Sequence, residues 1–412
     1  MSQYLLLFEK ILSNRFWGIV VFLGMMWLMF FTTFYVGGFP KGWIESGVST
    51  AAEFCKQSIS NESFGNFIAD GVIEGVGSVL AFLPNIIIMF AFISFFQISG
   101  LSQRFALLMD KLMHGIGLHG SSFIPLLMGF GCNVPAIMGT RIIPRKTDRL
   151  VTMLMIPFMS CSARLPVYIL LIGTFFPNSP LLILMLLYVS GILLAILTAF
   201  IINKFIFKPE KDNSERYPCS LHRPKLVPML QMIWAAASEY LKKIGTVVLI
   251  AVIVVWFLNH YPRPNESAGE AQQSYLEMLG EAIAPVFKPM GFDWKMSVSL
   301  LSGLPAKEFI VGTMAVLYNP QTNDTENGIL IGELLKSEVY PSGADAGKPV
   351  FNQAVALSFL FFALLYMPCI GAIVSIHKES KSLKWAFFTV FYTISLAWAV
   401  AFLVYRIALF FI

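Results

Sequence analysis

The sequence predicts an all-α integral membrane protein with roughly eight to ten membrane segments, in two repeat-related halves with broken or re-entrant helices. Three observations lead there. Hydrophobic residues make up 57% of the 412 and charged residues only 13%, against about 25% charged in an ordinary soluble domain. Apolar stretches long enough to cross a bilayer recur along the chain, and the mean hydropathy is +0.71. Several of those stretches are interrupted by Gly and Pro, and irregular backbone at membrane depth survives only inside protein or beside a water-filled cavity.

Residues 1–15 read as a short amphipathic lead, and 16–36 as a first crossing. That run is too long for a removable signal peptide and lacks its cleavage pattern. Lys10 and Arg15 precede it, and Glu45, Glu53 and Glu62 follow, so the N-terminus is expected in the cytoplasm. Residues 67–98 are apolar but interrupted at Gly71, Gly75, Gly77 and Pro84. Arg104, Asp110, Lys111, His114 and His119 lie at helical spacing over 100–119, which predicts an amphipathic helix at the membrane surface. Residues 121–140 are broken by Pro125, Gly129, Gly131 and Pro135, and a basic loop follows with Arg141, Arg145, Lys146 and Arg149.

Residues 150–176 contain Pro157, Arg164 and Pro166, whereas 180–207 form an uninterrupted crossing. The mixed-charge stretch 208–230 reads as a cytoplasmic linker. It divides the chain into a first membrane half, 1–207, and a second, 231–412. The second half opens with an amphipathic run at 231–243 and a crossing at 244–260. A segment at 296–317, broken at Gly303 and Pro305, lies between acidic-leaning loops. Crossings at 351–376 and 384–411 close the chain, joined by a turn with Lys378, Lys381 and Lys384.

Two echoes support duplication. SVLAFLP at 78–84 matches SLLSGLP at 299–305 as Ser-x-Leu-x-x-Leu-Pro, and CNVPAI at 132–137 is followed, in the same order, by PCIGAI at 368–373. Duplicated halves with broken helices at corresponding places are the mark of a transporter whose site lies near the midplane.

Three constellations place polar groups where lipid penalises them. GFGCNVPAIMGTR at 129–141 sets Cys132 and Asn133 at a Gly/Pro break, where a thiolate and freed carbonyls suit a borderline divalent metal. PFMSCSARLPVY at 157–168 brackets Ser160, Cys161 and the costly intramembrane Arg164 between two prolines. SGLPAKE at 302–308 and YMPCIGAI at 366–373 bring Lys307, Glu308 and Cys369. Against each stands a plainer reading: cysteine as a small hydrophobe, serine as a packing contact, Arg164 in a structural ion pair, and Lys307 and Glu308 satisfying each other or nearby carbonyls.

The composition also excludes much. The net charge of +5 comes from Lys and Arg in short loops, as orientation requires, and no basic stripe with interleaved aromatics points to nucleic acid. Five cysteines, an odd and sparse set, are no disulfide framework. No phosphate-binding loop occurs, and the five-residue spacing of His114 and His119 is not that of a zinc protease. No enzymatic activity is expected.

The segments DGVIEGVGSVLAFLP (70–84), LMDKLMHGIGLHGSSFIPLLMGFGCNVPAIMGTR (108–141), DRLVTMLMIPFMSCSARLPVY (148–168), GLPAKEFIVGT (303–313) and LLYMPCIGAI (364–373) resemble the membrane region of the ferrous iron transporter FeoB. The segments around Cys132 and Cys369 resemble that family's paired gate motifs. The resemblance implies import of Fe(II) across a bacterial inner membrane, with Fe(II) as substrate and no permanent cofactor. It implies that Cys132 and Cys369 lie along the pathway; with the constellations read above, the expected metal ligands are Cys132, Asn133, Ser160, Cys161, Glu308 and Cys369. It further implies a separate G-protein domain, a small FeoA-like SH3 protein and a homo-oligomer as partners within the lipid bilayer. The family's acidic pair before Ser-Gly is here Gln97-Ile98. The alternatives are a gate-type permease for another divalent metal or a nucleoside-like solute, and a non-transporting membrane scaffold.

Overall fold

The computed structural model describes residues 14–59, 65, 67–207, 225–243, 249–261, 274–318, 328–339 and 347–411. Most of the N-terminal lead, the linker as far as residue 224 and much of the two acidic-leaning loops of the second half lie outside the described residues.

The described chain is helical, with a single β-bridge between Val339 and Pro349. In order, α1 spans Arg15–Phe31 and α2 Gly38–Ser58, joined by a π-helical turn at Thr32–Val36; α3 spans Gly75–Leu80, α4 Leu83–Ile98 and α5 Leu101–His114. Then come α6 (Phe123–Gly129), α7 (Asn133–Gly139), α8 (Lys146–Met155), α9 (Leu165–Phe175), α10 (Pro180–Phe205) and α11 (Leu226–Lys243). The remainder are α12 (Leu249–His260), α13 (Tyr275–Phe287), α14 (Trp294–Ser302), α15 (Phe309–Tyr318), α16 (Gly328–Ser337), α17 (Gln353–Leu365), α18 (Ile370–Ser380) and α19 (Leu383–Phe411).

Among the described residues, five helical spans are long and apolar enough to cross a membrane: Phe16–Ser58, Lys146–Phe175, Pro180–Phe205, Gln353–Ser380 and Leu383–Phe410. The pair α4 and α5 makes a sixth if taken together, and it bends by 85° at the break between them. Gly100 sits at that corner with φ 77°, a left-handed conformation that glycine adopts without a steric penalty. The stretches read as broken in the sequence are indeed divided into short helices. The run at 121–140 becomes α6 and α7, and 296–317 becomes α14 and α15. Helices α10 and α19 present rows of exposed large side chains, among them Leu182, Leu193, Phe200, Phe387, Phe391 and Leu403, a surface that suits lipid rather than water.

The chain forms two compact units that interleave along its length. The first comprises residues 1–159, 194–249 and 375–381. Within it, α5 packs against the turn Gly120–Ser122 and α11 against α4. Phe22 meets Phe105 edge to face, with ring centroids 4.7 Å apart. The turn after α5 is fixed by two carboxylates: the His119 N–H donates to Asp148 Oδ2 at 3.0 Å, and the Gly120 N–H to Asp110 Oδ1 at 3.1 Å.

An ion network closes one edge of this unit. Glu379, with a side chain only 5% exposed, accepts from Arg141 Nε at 2.9 and 3.0 Å and is paired with Arg149 as well. Glu239 on α11 lies 3.4 Å from Arg141 and 3.5 Å from Lys378.

The second unit comprises residues 160–193, 250–374 and 382–412. Helices α17 and α19 form its main packing pair. Ala397 and Ala401 on α19 are fully buried; small residues at a helix interface let backbones approach closely, and the Ser358 hydroxyl donates to Ala401 O at 3.0 Å across it. Phe292 packs on Phe359 and Phe362.

Asp293 caps α14, accepting from Met296 N–H at 2.7 Å and from the Tyr318 hydroxyl at 2.9 and 3.0 Å. It lies outside the five long spans. Burial pushes its carboxyl up from the ordinary 3.8 to about 6. A carboxyl with a higher pKa folded than unfolded holds its proton better in the fold, so stability falls as pH rises from about 4 to about 6 and then levels. We expect Asp293→Asn to flatten that slope when thermal unfolding in detergent is followed across this range. A slope equal to wild type contradicts the assignment.

Candidate metal sites at the helix breaks

The first site lies in the first unit, between α6 and α7. Gly129 and Gly131 end α6, and the Cys132 N–H closes back onto Met128 O at 3.1 Å. Cys132 itself is extended, at φ −152° and ψ 132°, and its carbonyl accepts the first α7 bond from Ala136 N–H at 3.3 Å. The local close packing explains Gly129: a Cβ there would lie 2.8 Å from Met159 Cβ. The Cys132 thiol is half-buried. Beside it, Asn133 is 4% exposed and its Oδ1 has no hydrogen-bond partner. A buried amide oxygen left unmatched costs about 1–3 kcal/mol.

The second site lies in the second unit, where two further breaks meet. One is the stretch 303–308 between α14 and α15; the other is 366–369 between α17 and α18. Two hydrogen bonds join them: the Ile370 N–H donates to Leu304 O at 3.1 Å, and Lys307 Nζ donates to Met367 O at 2.8 Å. Gly303 is closely packed here: a Cβ would lie 2.8 Å from the Tyr366 hydroxyl and 2.5 Å from Ile310. Ser302, bonded to Thr313 at 2.7 Å, closes the same break from the α15 side. Cys369 stands at the end of the second break, and its carbonyl accepts from Ala372 and Ile373 N–H groups. Like Cys132, Cys369 stands just before a helix and its carbonyl accepts that helix's first bonds, so both cysteines of the sequence echo precede a new helical turn.

The extended segment Ser160–Cys161 belongs to this second cluster. Ser160 is buried and shares a hydrogen bond of 3.1 Å with the Tyr168 hydroxyl; Tyr188 also bonds to it. Arg164 and Lys307, at 1% and 2% exposed, are both buried here. Cys161, Cys369, Glu308, Tyr168 and Tyr366 share their electrostatic surroundings. Of the two ways the sequence offered Lys307 to be satisfied, its hydrogen bond goes to a carbonyl. Cys161, Glu308 and Cys369 thus lie in the second unit within electrostatic reach of Lys307, with Ser160 next to Cys161, and Cys132 with Asn133 lies in the first unit. Among the described residues, no three His, Cys, Asp or Glu side chains gather around a point that could hold one metal ion. A metal in either unit must therefore take carbonyl, amide or hydroxyl oxygens, or water, beside sulfur.

Tyr168, Tyr188 and Tyr366 were missed as site residues in the sequence reading. Their signal was a phenol inside an apolar run, since a buried tyrosine hydroxyl ordinarily demands a partner.

The family model described as "Gate: Nucleoside recognition" matches residues 79–175 and 241–383, more than half of the chain. The chain belongs to the Gate family. Both Gate matches cover the breaks just described: the first contains Cys132 and Cys161, the second Lys307 and Cys369. Curated relatives extend the likeness to nearly the whole sequence. This Gate protein is 43% identical, over 98% of its length, to a Porphyromonas gingivalis protein named Fe(2+) transport protein A/Fe(2+) transporter FeoB fusion protein, of which it covers 51%. It is 40% identical over 97% of its length to the Fe(2+) transporter FeoB of Campylobacter jejuni, covering 65% of it. It is 36% identical over 97% to that of Staphylococcus aureus, covering 58%. The chain thus spans between half and two thirds of these relatives. No solved structure matches.

Proposed function

We propose that this Gate protein is a permease that imports Fe(II) across a bacterial inner membrane. The observation that carries the reading is the pair of cysteines at helix breaks. Cys132 and Cys369 each stand just before a helix, one in each unit, and each is half-buried in an otherwise apolar segment. Thiolate sulfur with amide and carbonyl oxygen is a donor set for a borderline divalent metal, not for an anion or a sugar. In this reading Cys132 with Asn133, and Cys161 with Cys369, Ser160 and Glu308, are successive stations for the ion. The names of the relatives, all Fe(2+) transporters, support iron as cargo. The joining of Fe(2+) transport protein A to FeoB in the Porphyromonas protein supports a small FeoA-like partner.

The test is Fe(II) uptake into proteoliposomes under reducing conditions. The wild-type chain should transport, and Cys132→Ser combined with Cys369→Ser should slow uptake about tenfold or more, the equivalent of about 1.4 kcal/mol of lost ion stabilisation. Uptake equal to wild type removes the cysteines from the pathway. Competition by Mn(II), Zn(II), Co(II) and nucleosides assigns the cargo, and inhibition by nucleosides alone overturns the metal reading.

A further inference from the structure

One turn of the first unit ties three helices together at the level where membrane spans end. The turn is 116–120, directly after α5. The Asn203 side-chain amide, near the end of α10, donates to Ile116 O at 3.3 Å and to Gly117 O at 3.2 Å. Asp148 on α8 and Asp110 on α5 take the N–H groups of His119 and Gly120. Asn203 stands at the close of the span Pro180–Phe205 and Asp148 at the opening of the span Lys146–Phe175, so the turn lies at headgroup depth. Helix α5 leaves α4 at 85°; with the apolar α4 set across the bilayer, α5 runs along its surface. Leu101, Phe105 and Met113 bury one face of α5, while Leu107 and Leu112 are 57% and 60% exposed, the arrangement of an interfacial helix.

The same three helices bring basic side chains to this turn. Its two acids are already matched: Asp110 has His114 at 3.7 Å, and Asp148 has Arg145 at 3.8 Å. Lys111 follows Asp110 on α5, Lys146 opens α8 and Lys204 follows Asn203; all three are exposed, and they add charge that the two acids do not neutralise. Lys204 Nζ rests over the Phe200 and Phe205 rings, at 6.0 and 5.8 Å, with its stem in the apolar layer and its charge at the edge.

We propose that this rim binds the phosphate of an anionic phospholipid, with Lys111, Lys146 and Lys204 turned to the headgroup and Leu107 and Leu112 set among the acyl chains. Lysine ammonium groups serve a phosphate as point charges, and each basic group near an anionic membrane surface strengthens the attraction about fivefold. The exposed leucines beside the lysines favour a lipid over a soluble acidic partner, because a lipid alone offers hydrocarbon and negative charge together. The site does not depend on what the chain transports.

The experiment titrates the full chain in nonionic detergent with phosphatidylglycerol or with phosphatidylcholine of the same acyl chains, read by native mass spectrometry. Wild type should bind phosphatidylglycerol about tenfold tighter than phosphatidylcholine. K111Q, K146Q and K204Q together should bring the two lipids within about twofold of each other. K381Q with K384Q, at the exposed turn between α18 and α19, should keep the wild-type preference. Equal binding of the two lipids by wild type, a triple variant that keeps the preference, or its loss in K381Q with K384Q overturns the proposal. A second arm uses wild type alone, so it does not depend on how the variants fold. Phosphatidylglycerol, but not phosphatidylcholine, should lower labelling of Lys111, Lys146 and Lys204 by an amine-reactive reagent about threefold or more, and unchanged labelling overturns the proposal. Inorganic phosphate at the same concentration should leave the labelling unchanged; protection by phosphate equal to that by phosphatidylglycerol makes this a free-anion site and overturns the lipid assignment.

Discussion

Glu379→Gln is expected to destabilise the protein by about 3 kcal/mol, near the lower end of the cost of removing one partner from a buried ion pair. The carboxylate is 5% exposed and serves Arg141 and Arg149 together. Neutralising it leaves two guanidinium groups side by side without the buried carboxylate that pairs them. The arginine side chains are 51% and 27% exposed, so each can partly rehydrate, which keeps the loss from the upper end. Glu239→Gln makes the contrast. Its distances of 3.4 and 3.5 Å and its more open setting, at 23% exposed, predict about 0–1 kcal/mol. Thermal unfolding in detergent of the two variants side by side decides the matter. A Glu379 variant melting with wild type, or the Glu239 variant melting lower, is inconsistent with the buried network.

The second large effect is expected at Gly120. A Cβ there would lie 2.0 Å from the Ala106 carbonyl oxygen and 3.0 Å from Asp110 Cα. Both obstacles are backbone, so no rotamer change relieves them. Gly120→Ala must push α5 away from the turn, and the two N–H bonds to Asp110 and Asp148 go with it. Overpacking ordinarily costs about 1–3 kcal/mol, and with backbone on the other side we expect the top of that range or more, seen as loss of monodisperse protein on extraction. Gly312→Ala is the control: nothing lies within 4 Å of its added methyl, and alanine exceeds glycine in a helix interior by about 1 kcal/mol. If Gly120→Ala is extracted as well as Gly312→Ala, the close approach is not a constraint.

The breaks were legible in the sequence because Gly and Pro act locally. Cys132 follows Gly129 and Gly131, and Cys369 follows Pro368; no tertiary knowledge is needed to see that a helix cannot run through either. A helix within 100–119 was legible by its charge spacing, although it ends at His114 and His119 joins the turn that Asp148 holds. What was illegible depends on partners far apart in sequence. Lys307 offers no hint that its acceptor is the carbonyl of Met367, 60 residues on, because every residue has a carbonyl. Arg141 reads as one more positive charge in a basic loop, since the carboxylate that claims it lies 238 residues away. Ser160 likewise reads as a packing hydroxyl until Tyr168 is seen against it.

Glu239 has a mechanical consequence. It is one carboxylate on α11, the first helix after the linker, and it holds Arg141, just past the α7 turn that starts at Asn133, and Lys378, near the close of the helix that starts after Cys369. A sideways shift of α11 would therefore strain both contacts at once, and since each is long and half-exposed, both would give way and re-form together.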